Sequence, residues 1–203
     1  GGWIKLINST LVGVARDMHA WTSLDGVRYT AIGTDRKLYI YTEGLAYDIT
    51  PIRDTGSITG FETFSNTTVT VTDPSHNAEV GDFVTISSTS GAVNGIPAAT
   101  MDAEYQILTV PTANTYTITT ATAATSTGTS TATATATYQI SVGTAVSQYG
   151  YGWGTYEWGK EAWGTPRSTS NVTIEGRNWS FDNFGEDLLA TVNNGNTFRW
   201  DTS

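Results

Sequence analysis

Ser23-Leu24-Asp25-Gly26-Val27-Arg28-Tyr29-Thr30-Ala31-Ile32-Gly33-Thr34-Asp35-Arg36-Lys37-Leu38-Tyr39-Ile40-Tyr41-Thr42-Glu43-Gly44-Leu45-Ala46-Tyr47-Asp48 is the stretch that decides the fold. It holds two short runs rich in aromatic and β-branched residues, Arg28 to Thr34 and Lys37 to Thr42, and most of a third, Leu45 to Thr50. Thr34-Asp35-Arg36 and Glu43-Gly44 separate them, and a fourth run, Val14 to Trp21, precedes the turn signal Ser23-Leu24-Asp25-Gly26. Asp and Gly tolerate the backbone of tight turns, and Pro51, which has no N–H to extend a ladder, stops the last run. The pattern predicts a four-stranded antiparallel meander, the size and form of one β-propeller blade.

A second copy begins at Trp179-Ser180-Phe181-Asp182-Asn183-Phe184-Gly185-Glu186-Asp187 and continues through Leu188 to Asn193 and Asn196 to Asp201. Placing Gly26 on Gly185 sets an offset of 159, which brings Ala31 to Ala190, Asp35 to Asn194, Tyr39 to Phe198 and Tyr41 to Trp200. Repeated four-strand units are the sequence mark of a propeller. The second copy stops after its third strand, so the chain reads as cut mid-blade, and two blades do not close a ring that takes roughly four to eight. Either the chain is a fragment or its sheets are completed by other chains.

Between the copies, from about Thr59 to Ile140, aromatic residues thin out and Thr-rich alternation takes over. Strands are expected at Thr67 to Asp73, Asp82 to Thr89, Glu104 to Val110, Thr115 to Thr122 and Thr131 to Val142, where apolar and hydroxyl residues alternate with the period of a half-buried strand. The expected organisation is all-β: a propeller-like part in residues 1–58 and 141–203, and an inserted small β-sandwich or barrel in residues 59–140. Thr120 to Thr137, nearly all Thr, Ala and Ser, reads equally as a linker or as an edge hairpin turning at Gly128. Flat strands of this kind set register weakly, so pairing with a neighbouring subunit is a further possibility.

Composition narrows the chemistry. Cysteine is absent, which removes disulfides, thiolate nucleophiles and Cys-based zinc sites, and the net charge of -9 repels phosphate backbones. The expectation is no cofactor, no metal and no specific nucleic-acid binding. Apolar runs such as Ile4 to Ile7 are too short to span a bilayer, so no membrane partner is expected either.

Trp179 to Leu189 followed by Gly195 and Trp200-Asp201, the upstream Trp-Gly series, and Tyr47-Asp48-Ile49-Thr50-Pro51-Ile52-Arg53 resemble a recurring pattern of structural tail proteins of short-tailed bacteriophages. Val80-Gly81-Asp82-Phe83-Val84-Thr85-Ile86-Ser87, Tyr105-Gln106-Ile107 and Asn114-Thr115-Tyr116-Thr117-Ile118-Thr119 are similar to small β modules that decorate phage virion proteins. The resemblance implies a hub, nozzle or stabilisation protein in the virion tail. It further implies a homo-oligomeric ring that contacts other tail or portal-adaptor proteins, with DNA passing nearby.

The candidate interface residues are aromatic. Tyr151, Trp153, Tyr156, Trp158 and Trp163 lie in a segment where Trp-Gly recurs every five residues, a period of neither helix nor strand, and Trp179 and Trp200 join them from the second copy. Such indoles either pack on the next subunit, which is the favoured reading, or form a sugar-binding platform. Asp182, Glu186 and Asp187 cluster, yet in an expected hairpin turn where acidic residues serve the backbone, so no catalytic residue is assigned and the chain is read as a non-enzyme. His19 beside Trp21 reads as a packed strand residue and His76 as a loop residue.

Overall fold

The computed structural model describes residues 2, 4, 5, 7, 10–141, 143, 176–193 and 195–202. The chain is all-β, and among the described residues the one helix is four residues long. It divides into two compact units, Gly1–Ile49 with Gly143–Ser203, and Thr50–Val142.

The first unit opens with β1 (Ala15–Thr22), β2 (Arg28–Thr34), β3 (Leu38–Thr42) and β4 (Leu45–Asp48), hydrogen-bonded in that order as an antiparallel meander. Thr42 faces Leu45 across Glu43 and Gly44, whose φ angles are 49° and 88°. Two positive φ values in a two-residue loop make a type I′ turn, which matches the twist of the strands it joins. Lys37 is buried and its Nζ lies 2.5 Å from Asp48 Oδ2, tying the base of β3 to the end of β4.

The second unit holds β5 (Ile52–Ile58), β6 (Gly60–Phe64), β7 (Thr68–Thr72), β8 (Phe83–Ser87), α1 (Ala98–Met101), β9 (Glu104–Gln106), β10 (Thr109–Thr112), β11 (Thr115–Thr119), β12 (Thr127–Ser130) and β13 (Ala134–Gln139). One sheet runs β10-β11-β7-β6-β12 and the other β5-β13-β8-β9. Val69, Val71, Tyr116 and Ile118 of the first share a single buried core with Val84, Ile86, Ala136 and Tyr138 of the second, which makes the unit a β-sandwich. Each buried aliphatic side chain contributes about 1.5–3 kcal/mol of transfer free energy.

Three details of this unit differ from the sequence expectation. The leading edge lies at Thr50, ahead of the expected Thr59, because β5 pairs with β13 from Ile58 opposite Ala134 to Ile52 opposite Gln139. Ile52–Ile58 shows no apolar alternation, so its strand character comes from its partner. The expected strand Glu104 to Val110 is two strands: Ile107 N donates to Asp82 O beside one sheet and Leu108 N to Thr117 O beside the other, so the chain changes sheets between them. Thr120 to Thr137 is neither a linker nor a hairpin turning at Gly128. Gly128 sits inside edge strand β12 opposite Thr63, and the Thr-Ala run forms β13, paired on both sides with Ala134 and Ala136 turned inward.

The chain returns to the first unit in β14 (Trp179–Phe184), β15 (Asp187–Val192) and β16 (Thr197–Trp200), a second meander in the order β14-β15-β16. Gly185, with φ of 69°, takes the first position of the two-residue β14–β15 turn, where a II′ hairpin needs glycine. The two meanders match as a repeat. Thr34 N donates to Lys37 O and Val192 N to Asn196 O, and hydrogen-bonded pairs alternate along an antiparallel ladder. Tyr39 with Ile32 and Phe198 with Ala190 are therefore equivalent hydrogen-bonded pairs. The offset of 159 holds for the third strands, while Ala190 corresponds to Ile32 and not to Ala31, because the second copy's turn is one residue longer.

Candidate assembly site

The two meanders of the first unit are held together by β14 packing on β1 and β2. Trp179 is buried, and its ring lies over Gly33 so closely that a Cβ there would stand 2.4 Å from Trp179 Cδ1. Trp179 Nε1 donates to Thr34 O at 2.7 Å, its ring stacks on Phe181, and the Arg177 guanidinium lies 5.9 Å from the ring centroid. Indole area, a satisfied N–H and a glycine that admits the ring make this a dry joint. Trp179, one of the expected interface residues, is thus occupied within the unit.

Trp200 has a different setting. Trp21 Nε1 donates to Glu186 O at 2.9 Å, and His19 Nε2 is 2.6 Å from Asn183 Oδ1, which fixes β1 beside the β14–β15 hairpin. Trp21 stacks on Tyr29 at 5.3 Å and on His19 at 5.9 Å, and Trp200 meets Trp21 and Tyr29 edge-on at 6.4 and 5.7 Å. All four rings are half-buried, forming a continuous aromatic patch. Exposed apolar side chains are also present on these elements: Met18 on β1, Leu24 in the β1–β2 turn and Phe184 at the end of β14. The packed reading of His19 agrees with its position. The sequence reading missed Trp21 and Tyr29 as members of the patch, although they face each other across the β1–β2 pair that the turn signal had already implied.

Tyr151, Trp153, Tyr156, Trp158 and Trp163 lie outside the described residues. The described residues flanking that segment meet: a Cβ on Gly143 would stand 2.7 Å from Arg177 Cβ.

The clustered carboxylates do not converge. Asp182 is exposed on β14, and Glu186 accepts the Leu24 N–H from the hairpin turn. Asp187 is buried, accepting Arg199 Nε at 2.6 Å and the Thr202 N–H at 3.3 Å. Each is engaged in holding backbone or a partner side chain. Among the described residues, no three His, Asp or Glu side chains come together as a metal-ligand set.

The second unit has its own buried polar cluster. Tyr138 Oη donates to Asp73 Oδ2 at 2.6 Å, and the His76 ring stacks on Tyr138 and meets Tyr116 edge-on. His76 lies in a loop, as the sequence suggests, but it is buried, and its Nδ1 accepts the Ala78 N–H. Arg53 donates to the carbonyls of Asn77 and His76 and covers the Tyr138 ring. Burial raises the pKa of both Tyr116 and Tyr138 well above the ordinary phenol value, and the Asp73 carboxylate adds to the shift in each. These groups stay neutral and serve the core.

No protein-family model matches the chain, and no curated protein matches it. Among solved structures it is similar to the phage phi92 endosialidase, with a TM-score of 0.32 and 20% identity over 63% of this chain and 18% of that one. The chain spans under a fifth of that protein's length, and a likeness this loose carries no argument about function.

Proposed function

We propose that this chain is a structural component of a bacteriophage tail, of the hub or nozzle type, which assembles as a ring and contacts other tail or portal-adaptor proteins in the virion. The carrying observation is the half-buried aromatic patch of Trp21, Tyr29 and Trp200, on a pair of repeated meanders cemented by Trp179, with Met18, Leu24 and Phe184 exposed elsewhere on the same elements. Aromatic and Met side chains are the residues that interface cores favour. The sequence resemblance to short-tailed phage tail proteins supports the same reading, and the meanders correspond to neighbouring blades of a propeller that other segments complete. The role is non-catalytic, since Asp182, Glu186 and Asp187 are turned to separate tasks.

Charge suits a protein beside a genome path. Thr50–Val142 carries one basic residue, Arg53, against seven acidic ones, and Arg53 is spent on backbone carbonyls. Such a surface repels DNA and lets it slide. Analytical ultracentrifugation with electron microscopy of the purified chain tests the reading: ring-shaped oligomers are expected, and a strictly monomeric protein at high concentration overturns it.

A second reading, glycan recognition in the tail, draws on the same half-buried rings, since aromatic faces also bind sugars. Glycan-array binding that is lost in Trp21→Ala and Trp200→Ala, by a protein that forms no ring, would put this reading first.

A further inference from the structure

Asn94 and Gly95 form a two-residue turn of the second unit, between Val93 and Ile96, which exchange both backbone hydrogen bonds at 2.9 Å. Their φ angles are 46° and 90°, the type I′ pair that Asn-Gly favours. Val93 and Ile96 are buried, so the turn is rooted in the core. Gly95 has a second reason to be glycine: a Cβ there would stand 2.2 Å from Thr125 Oγ1.

The Asn94 side chain has a separate task. Its Nδ2 donates to Thr63 Oγ1 and to Gly128 O, each at 2.8 Å, and because a carbonyl can only accept, the orientation of the amide is fixed. Asn94 O accepts the Thr125 N–H at 2.9 Å and the Thr125 hydroxyl at 3.1 Å. The buried Thr63 hydroxyl, which accepts from Asn94, itself donates to Ser126 O at 2.8 Å. One residue thus pins the approach to β12, the last strand of its sheet, to β6. An aspartate there would keep the turn but could not donate, so the fold needs Asn and needs Gly after it.

Asn-Gly is also a reactive pair, because glycine has no side chain to keep its backbone nitrogen away from the preceding amide carbon. Gly95 is exposed, and its N–H is engaged by no group among the described residues. We propose that Asn94 is a deamidation site, gated by release of its amide from Thr63 and Gly128, and that the reaction unpins β12. Gly95 N bonds to Asn94 Cγ and gives up its proton, the Cγ–Nδ2 bond breaks, and Nδ2 leaves with a third hydrogen as ammonia. Water then opens the succinimide at either carbonyl, giving aspartate or isoaspartate, with nothing oxidised or reduced. The aspartate turns a carboxylate oxygen toward Gly128 O, two acceptors with no hydrogen between them. The isoaspartate lengthens the main chain of the turn by one carbon, and the two-residue fit between Val93 and Ile96 is lost.

Peptide mapping by mass spectrometry tests the site, on the full chain aged in mildly alkaline buffer, both folded and in urea. Deamidation at Asn94 should appear in both, roughly tenfold or more slower in the folded protein, where the reaction requires local opening. Thr63→Val removes the hydroxyl that holds the amide and should quicken the folded reaction by about threefold or more, whereas Thr63→Ser, which keeps the hydroxyl, should not. Asn94→Asp should speed hydrogen exchange of the Thr127–Ser130 amides by about tenfold while Thr115–Thr119 exchanges like the parent. An unmodified Asn94 in the folded chain, equal rates folded and in urea, or a folded Thr63→Val protein as slow as the parent overturns the gated site. If Thr63→Val does not fold, the comparison of the folded parent with the parent in urea decides. Parent-like exchange of β12 in Asn94→Asp overturns the unpinning.

Discussion

Ile140 N donates to Pro51 O at 2.9 Å, so the strands that lead into and out of the second unit run side by side where it joins the rest of the chain. An inserted unit closed in this way should not depend on its host for folding. Residues 50–142 expressed alone should give a β spectrum and one cooperative thermal transition. Rejoining the chain with a short Gly-Ser link in their place should leave the Trp fluorescence of the first unit native. Failure of either half to fold would show that the two are one cooperative structure.

Gly33→Ala is expected to destabilise the first unit by about 1–3 kcal/mol, because the added methyl overlaps the Trp179 ring and a packed joint relaxes only in part. Trp179→Phe leaves the Thr34 carbonyl without its donor, and should cost about 1–3 kcal/mol beyond the lost area. Urea unfolding followed by tryptophan emission measures both. A Gly33→Ala protein as stable as the parent would mean that the joint is loose.

Alkaline pH should unfold the second unit selectively. A tyrosine whose folded pKa is raised holds its proton in the native state and loses it in the unfolded one, so its stabilising contribution is complete below the unfolded value of about 10 and is lost as pH rises above it. Tyr138→Phe should lower stability at pH 7, since Asp73 loses its buried donor, yet flatten the decline between about pH 10 and 12. Circular dichroism melts across that range decide it, and parallel slopes for the two proteins would show that Tyr138 is not the titrating group.

The Trp-Gly segment tests the assembly reading from outside the described fold. Trp153→Ala with Trp158→Ala should leave the β spectrum intact and shift the ring to smaller species, each truncated anchor costing on the order of 2 kcal/mol. Deleting residues 144–175 with a short link should have the same effect, because Gly143 and Arg177 already meet. If the double variant assembles like the parent but loses glycan binding, the segment is a recognition site.

Much of the β architecture was legible because its signals are local. Glu43-Gly44 and Gly185-Glu186 specify their turns by the backbone that glycine permits, and Val69, Val71, Tyr116 and Ile118 announce their strands by alternation. β5 was not legible, because Ile52–Ile58 becomes a strand only through its partner β13. His76 read as a loop residue with no sign of its burial, because neither Tyr116 nor Tyr138, which enclose it, is near it in sequence.

The same division runs through the candidate site. The sequence by itself determined that the chain is all-β, that two meanders repeat and that tryptophan is concentrated in and around the second. Only the tertiary structure decided that Trp179 is a joint and Trp200 a surface. Trp179 is buried because Thr34, 145 positions away, offers it a carbonyl and Gly33 offers it room. Trp200 keeps an open face because its neighbours Trp21 and Tyr29 meet it only at an edge. Both residues alternate on a strand in the same way. What a strand residue buries against depends on which distant strand is laid over its face, and a periodicity of two does not encode that.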